Sequence, residues 1–347
     1  MTKRIISIVV PVFEEAESLR ALHRSVVSAM KEVSDFDYEL LLIDDGSRDE
    51  SWEVIANLRD LDPQVKGVRF SRNFGHQAAV TAGYRYATGD AVITMDADLQ
   101  HPPELLPAMI QKWRAGYDVV SMVRDPASHQ GLLKTLPSRL FYRLINALSA
   151  TKIKDGVADF RLLDRRVVKQ LNALKERGRF VRGMISWVGF SETEIHYTPH
   201  PRFAGRSKYS PGKMVNLAVD AISSFSTAPL RLAFLLGLAV NVLCLGLMGY
   251  AMYNKVQEDK DLTEWASTFL TMLFLSGIQL LMIGLIGMYV GKIFEEVKQR
   301  PVYITEEELG IAPRVRRIRR RPAVRPHSAA AHASSGLVII QDRPQER

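Results

Sequence analysis

Five short, mostly apolar runs, without the regular polar alternation of a half-exposed strand, limit what the N-terminal part of this chain can fold into. They are Ile5–Val10, Glu39–Ile43, Gly67–Phe70, Ala91–Met95 and Asp118–Val123. Rich in β-branched residues, they read as strands buried on both faces. Segments with helical periodicity begin near Ala16, Asp49, His76 and Pro103. Strands alternating with helices predict a doubly wound α/β domain around a mostly parallel sheet, with ligands at the carboxyl ends of the strands. Pro11, Asp45 and Asp96 all fall at such ends, so their three motifs are expected to converge on one crevice.

The residues at those ends suggest a chemistry. In Met95-Asp96-Ala97-Asp98-Leu99-Gln100, two carboxylates stand two residues apart at a strand exit. Such a pair can hold a hard divalent cation, Mg²⁺ or Mn²⁺, against a diphosphate. The small Ala97 lets a diphosphate approach the backbone, Gln100 adds a neutral oxygen, and no Cys/His cluster argues for zinc. In Pro11-Val12-Phe13-Glu14-Glu15 an aromatic face can meet a base, and a carboxylate can accept from ribose or base N–H groups. Glu15 can equally serve only the positive end of the following helix. In Leu42-Ile43-Asp44-Asp45-Gly46-Ser47 one Asp can reach a nucleoside while its neighbour orders the turn. None of these is specific alone, and an isolated Asp-x-Asp reads as a solvated loop.

Further along, Leu232–Tyr253 and Ala266–Gly291 are apolar and membrane-length, since a bilayer core takes roughly 20 helical residues. Glycines at 237, 246 and 249, and at 277, 284 and 287, permit close helix contact. The loop between the stretches is mostly acidic, while Arg231, Lys292 and an Arg-rich tail flank the outer ends. By the positive-inside rule both termini are cytosolic, and a bacterial inner membrane is the expected location. From Met214 the apolar spacing is that of an amphipathic helix, lying in the lipid interface or packed on the protein's own core. The expected divisions are a cytosolic catalytic domain (1–210), a juxtamembrane helix (211–229), a transmembrane hairpin (230–292) and a basic, largely disordered tail (293–347).

The formal charge of +8 is concentrated beyond residue 311, where nine arginines face two carboxylates. The body is close to neutral, which argues against nucleic acid as a partner. The single cysteine, Cys244, excludes an intrachain disulfide. No signal-peptide pattern precedes the first strand, so the first domain is expected to stay in the cytosol.

Pro-x-Phe-x-Glu, Asp-Asp-Gly-Ser and Asp-Ala-Asp, in this order and spacing, resemble glycosyltransferase family 2. Ser71-Arg72-Asn73-Phe74-Gly75, Asp98-Leu99-Gln100-His101-Pro102-Pro103-Glu104 and the membrane hairpin narrow the resemblance to polyprenyl-phosphate glycosyltransferases. It covers about residues 4 to 300. It implies a nucleotide-sugar-binding glycosyltransferase A-type domain in which Pro11, Phe13, Glu15, Ile43 and Asp45 hold the nucleoside. Asp96, Ala97 and Asp98 would meet the diphosphate and metal, with Gln100 beside the metal. Arg124 would contact phosphate, and Arg202 and Lys208, in a mobile Arg-x-x-Gly-x-Ser-Lys loop, would clamp the donor. Arg139 is a further candidate for gripping the acceptor phosphate.

Asp159 matches the family's catalytic carboxylate; the alternative is a structural Asp paired with Arg161 or a helix end. His76 and His101 depart from the residues usual at their positions, Lys and Asp. The resemblance implies an inverting enzyme that moves a sugar, glucose from UDP-glucose, onto undecaprenyl phosphate, with membrane lipid and a second copy of itself as partners. The rivals are the same reaction with mannose or an aminoarabinose derivative, a processive polysaccharide synthase, and a non-catalytic scaffold that binds nucleotide sugar or lipid. The Gln-x-x-Arg-Trp motif of processive synthases is absent from the sequence.

Overall fold

Strand β1 (Arg4–Val12) is the axis of the fold, pairing in parallel with β2 (Phe36–Asp44) on one side and β4 (Ala91–Thr94) on the other. The computed structural model describes residues 3–125, 157–200 and 264–311, with a few helical positions between 230 and 246. Beyond β2 lies β3 (Val65–Phe70), also parallel. On the far side of β4 come β6 (Val157–Asp164), β5 (Val119–Arg124) and β7 (Glu192–Tyr197). An eighth strand, β8 (Thr305–Leu309), closes the edge beside β3, so the order is β7-β5-β6-β4-β1-β2-β3-β8. Strand β6 runs antiparallel to both β4 and β5, and β8 antiparallel to β3; the other described pairings are parallel.

Alternation along each strand supplies two cores. Ile6, Ile8, Val10 and Val12 face one way, onto α1 (Ala16–Lys31), α2 (Ser51–Leu61) and α4 (Leu106–Arg114). Val9, Leu41 and Ile43 face the other, onto α3 (His76–Tyr86), α5 (Arg165–Ala173) and α6 (Val181–Val188). Each fully buried aliphatic side chain contributes about 1.5–3 kcal/mol relative to exposure, so both faces of β1 must stay covered. The doubly wound, mostly parallel α/β sheet expected from the sequence is therefore present.

Helix α7 (Glu264–Lys298) is long and apolar enough over Phe274–Lys298 to cross a membrane. Among the side chains it exposes are Phe274, Leu280, Ile283, Ile286, Val290 and Ile293. A Cβ placed on Gly237 would lie 3.6 Å from Met282 Cε, so this part of the first apolar stretch approaches α7. Most of Leu232–Tyr253 and all of residues 211–229 lie outside the described residues.

The structure differs from the sequence reading at two places. Strand β6 inserts between β4 and β5 although it carries Asp159, Arg161 and Asp164, because those charges are paired. Residues 293–311, assigned to the tail, instead finish α7 and form β8.

Candidate active site

Because β4, β1 and β2 are neighbours, the three motifs that end them are forced together. Asp45 N–H donates to the Val12 carbonyl (2.8 Å) and Met95 N–H to that of Val9 (3.1 Å). Ser47 and Ser51 hydroxyls accept from the Glu14 and Glu15 amides, both at 3.0 Å, tying the exit of β1 to that of β2. A Cβ on Gly46, which has φ +68°, would sit 2.5 Å from the Arg72 carbonyl carbon, so only glycine lets this turn press against the loop after β3. Two other residues at the crevice rim, Glu14 (φ 53°) and Leu99 (φ 61°), hold left-handed backbone without being glycine. Each costs on the order of 1 kcal/mol or more, strain of the kind that collects at functional sites.

The aspartates divide their tasks. Asp44, fully buried, accepts from the Ser47 amide and orders the turn. The Asp45 carboxylate bridges two amides, Phe74 N–H (2.6 Å) and Gly75 N–H (2.8 Å), and so shapes the loop Ser71–Gly75. Burial pushes both carboxyls up, only partly countered by these hydrogen bonds. Phe13 and Glu15 are half-buried at the rim, whereas Pro11 and Ile43 are buried. The Ile43 side chain packs in the core behind the crevice.

Asp96 stands half-exposed between two histidines: His76 Nε2 lies 3.2 Å from Oδ1 and His101 Nε2 3.6 Å from Oδ2. Burial alone would raise the Asp96 carboxyl, but the two histidines outweigh it and bring it down to about 2. His76 shows the reverse balance: burial lowers it, Asp96 and Asp159 outweigh that, and it rises to about 8. His101 is buried and pushed down, first by burial, and its Nδ1 accepts from the Asp96 amide (3.0 Å). Its ring stacks on Phe160, centroids 5.0 Å apart. Asp98 is buried beside Ala97, and its Oδ1 accepts from the Gln100 amide (3.1 Å). Exposed Arg124 donates to Tyr197 Oη (3.2 Å) and reaches to 3.4 Å from His101 Nε2.

No cluster of three or more His, Cys, Asp or Glu side chains that could hold a metal occurs among the described residues. Mg²⁺ typically takes one or two carboxylates and completes its shell with water and substrate phosphate. Asp96, Asp98 and Gln100 supply oxygens of the right type on one strand exit.

Asp159 lies on β6 beneath this group. Arg182, from α6, grips it in a fork, Nε to Oδ1 at 2.7 Å and Nη2 to Oδ2 at 2.9 Å, while Arg161 stands 3.8 Å away. Burial raises the Asp159 carboxyl, but the Arg182 guanidinium dominates and holds it well below the usual carboxylate range. The sequence reading missed Arg182, which is 23 residues from its partner and matches no motif. Arg139, Arg202 and Lys208 lie outside the described residues.

Comparison with known proteins fits this geometry. Residues 7–171 match the Glycosyl transferase family 2 profile, and residues 228–293 match the GtrB C-terminal hairpin. An uncharacterized glycosyltransferase, YkcC of Bacillus subtilis, is 42% identical over 305 residues, covering 88% of this chain and 94% of that protein. The SfII prophage-derived bactoprenol glucosyl transferase of Shigella flexneri is 40% identical over 302 residues, 87% of this chain and 97% of the relative. The prophage bactoprenol glucosyl transferase homolog of Escherichia coli K12 is 39% identical over 299 residues, 86% and 97%.

Proposed function

The chain belongs to glycosyltransferase family 2, and on that premise we propose that it transfers glucose from UDP-glucose to undecaprenyl phosphate at the cytosolic face of a membrane, with inversion at the anomeric carbon. One observation carries the reading. Asp45 at the carboxyl end of β2 and Asp96 and Asp98 at that of β4 flank the exit of β1, in a chain alike along most of its length to proteins named bactoprenol glucosyl transferase.

In this proposal an acceptor phosphate oxygen attacks C1 of the sugar. The C1–oxygen bond to the diphosphate breaks, and UDP departs with the bonding pair, leaving a β-linked polyprenyl phosphosugar. A bound Mg²⁺ or Mn²⁺ would neutralise charge on the departing diphosphate. Asp96, Asp98 and Gln100 hold that end of the donor, while Phe13, Glu15 and Asp45 border the nucleoside and Pro11 and Ile43 back it from the core.

A phosphate monoester, with a second pKa near 6, is roughly nine-tenths dianionic at pH 7. The acceptor therefore needs positioning more than deprotonation. Asp159, locked by Arg182, suits orientation and charge placement instead of proton abstraction. Arg124 and Arg139 meet the acceptor phosphate, and Arg202 and Lys208 close on the donor. The helical hairpin keeps the site beside lipid, so the acceptor arrives by diffusion in two dimensions.

The test is transfer of radiolabel from UDP-glucose into the organic phase with undecaprenyl phosphate, with and without EDTA. Label should enter, EDTA should stop it, and Asp98→Ala should abolish it while the protein stays folded. Label from GDP-mannose but not UDP-glucose would replace the donor. No transfer from any UDP- or GDP-sugar would sink the proposal.

A further inference from the structure

The chain does not leave the domain when α7 ends. Glu296, near its C-terminus, accepts from the Arg177 amide (2.8 Å) and the Gly178 amide (3.4 Å) in the loop before α6. The backbone then turns back onto the sheet and becomes β8. Trp52 Nε1 donates to Glu307 (2.9 Å), and Tyr86 Oη donates to Glu308 and meets Thr305 Oγ1 at 3.3 Å. These contacts fasten the returning segment to α2 and to the end of α3.

Its first residues do something more specific. The Tyr303 ring stacks on Phe70, centroids 4.8 Å apart and planes 12° from parallel. Phe70 in turn meets Phe74 edge-on at 5.8 Å. The Ile304 carbonyl accepts from the Ser71 amide (3.1 Å). Phe74 and Gly75 are the residues whose amides hold the Asp45 carboxylate, and Gly75 leads directly into His76 at the start of α3. The loop Ser71–Gly75 is thus fixed between Asp45 on the crevice side and Tyr303 and Ile304 on the other. Residues 302–309 lie outside both matched family segments.

We propose that the return segment Val302–Leu309 is a positioning element of the donor site, with Tyr303 as its positioning residue. By packing on Phe70 it sets the loop Ser71–Gly75, and through the Phe74 and Gly75 amides it sets the Asp45 carboxylate. One continuous path of contacts then joins the cytosolic end of α7 to the nucleotide crevice. This rests on the reading of the Asp45 crevice as the donor site.

The test uses the full chain in detergent micelles, comparing Tyr303→Ala, Tyr303→Leu and Tyr303→Phe with wild type. With undecaprenyl phosphate saturating, Tyr303→Ala should raise KM for UDP-glucose roughly two- to tenfold, the range that one aromatic contact is worth. The acceptor KM and kcat should stay near wild type, and Tyr303→Phe, which keeps the stack, should restore the donor KM. Hydrogen exchange without donor should quicken in residues 70–76 of Tyr303→Leu and stay unchanged in β1. An unchanged donor KM in folded Tyr303→Ala overturns the proposal. So does faster exchange throughout β1 and β2, or failure of both the Ala and Leu variants to fold, since Tyr303 would then be a core residue only. If wild type shows no donor-dependent turnover, the donor-site reading fails, and the exchange pattern still decides whether Tyr303 holds the loop.

Discussion

Asp159 and Arg182 meet through two nearly parallel hydrogen bonds, the arrangement in which a guanidinium is strongest and most directional. Removing one partner leaves the other charge largely buried. Arg182→Ala is expected to cost about 2 kcal/mol at pH 7, with Asp159→Asn/Arg182→Ala costing less than the sum of the single changes. Thermal unfolding in detergent measures both. The pH dependence has a fixed sign. The folded-state carboxyl lies below its unfolded value, so its contribution is full above about pH 4 and is lost as the pH falls through the folded value. The gap between wild type and Arg182→Ala should therefore be constant near neutrality and narrow on strong acidification. A gap that widened there would contradict the pairing.

At the scale of elements, the sheet is held by more than its ladder. Glu39, a buried carboxylate on β2, accepts from Ser7 on β1, from Lys66 on β3, and from the Thr88 amide (2.6 Å) and hydroxyl (2.9 Å) ahead of β4. Burial raises its carboxyl, but these donors outweigh it and the net shift is downward. Glu39→Gln should lower stability by about 1.5–3 kcal/mol, read from the same unfolding experiment, with no change in donor KM because Glu39 stands away from the strand exits. The strands visible in the sequence were those whose apolar runs answer to two covered faces: β1 to β5 all appear close to where the pattern put them. Strand β6 was hidden because Asp159, Arg161 and Asp164 break that pattern and are satisfied only by partners brought in by the fold. Strand β8, Thr-Glu-Glu-Glu-Leu, was hidden for the same reason. At an edge it keeps charge outward, and two of its acids find an indole and a phenol from distant helices. The motif carboxylates were legible because short loops carry them at strand ends. Arg182 was not, since pairing across the fold leaves no local spacing to read.

For the molecule as a whole, α7 and the sheet are linked through β8, and truncation separates that link from the tail. A chain ending at Ile311 should match the full protein in unfolding midpoint, because every described contact is retained. A chain ending at Gln299 should unfold earlier and aggregate, since it bares the edge of β3 and removes the Tyr303 stack. Equal midpoints for the two would show that β8 contributes nothing to stability.

The position of β8 in the chain also orders events at the ribosome. Residues 4–200, which hold the crevice, emerge well before the hydrophobic helix and the strand that follows it. Until residues 305–309 are translated, β3 as well as β7 is an unpaired edge of the nascent sheet, and the last strand can dock only after the preceding helix has been made. Completion of the sheet thus comes last in synthesis, and a polypeptide that stops short of β8 is left with an adhesive border that quality-control proteases and chaperones can recognise.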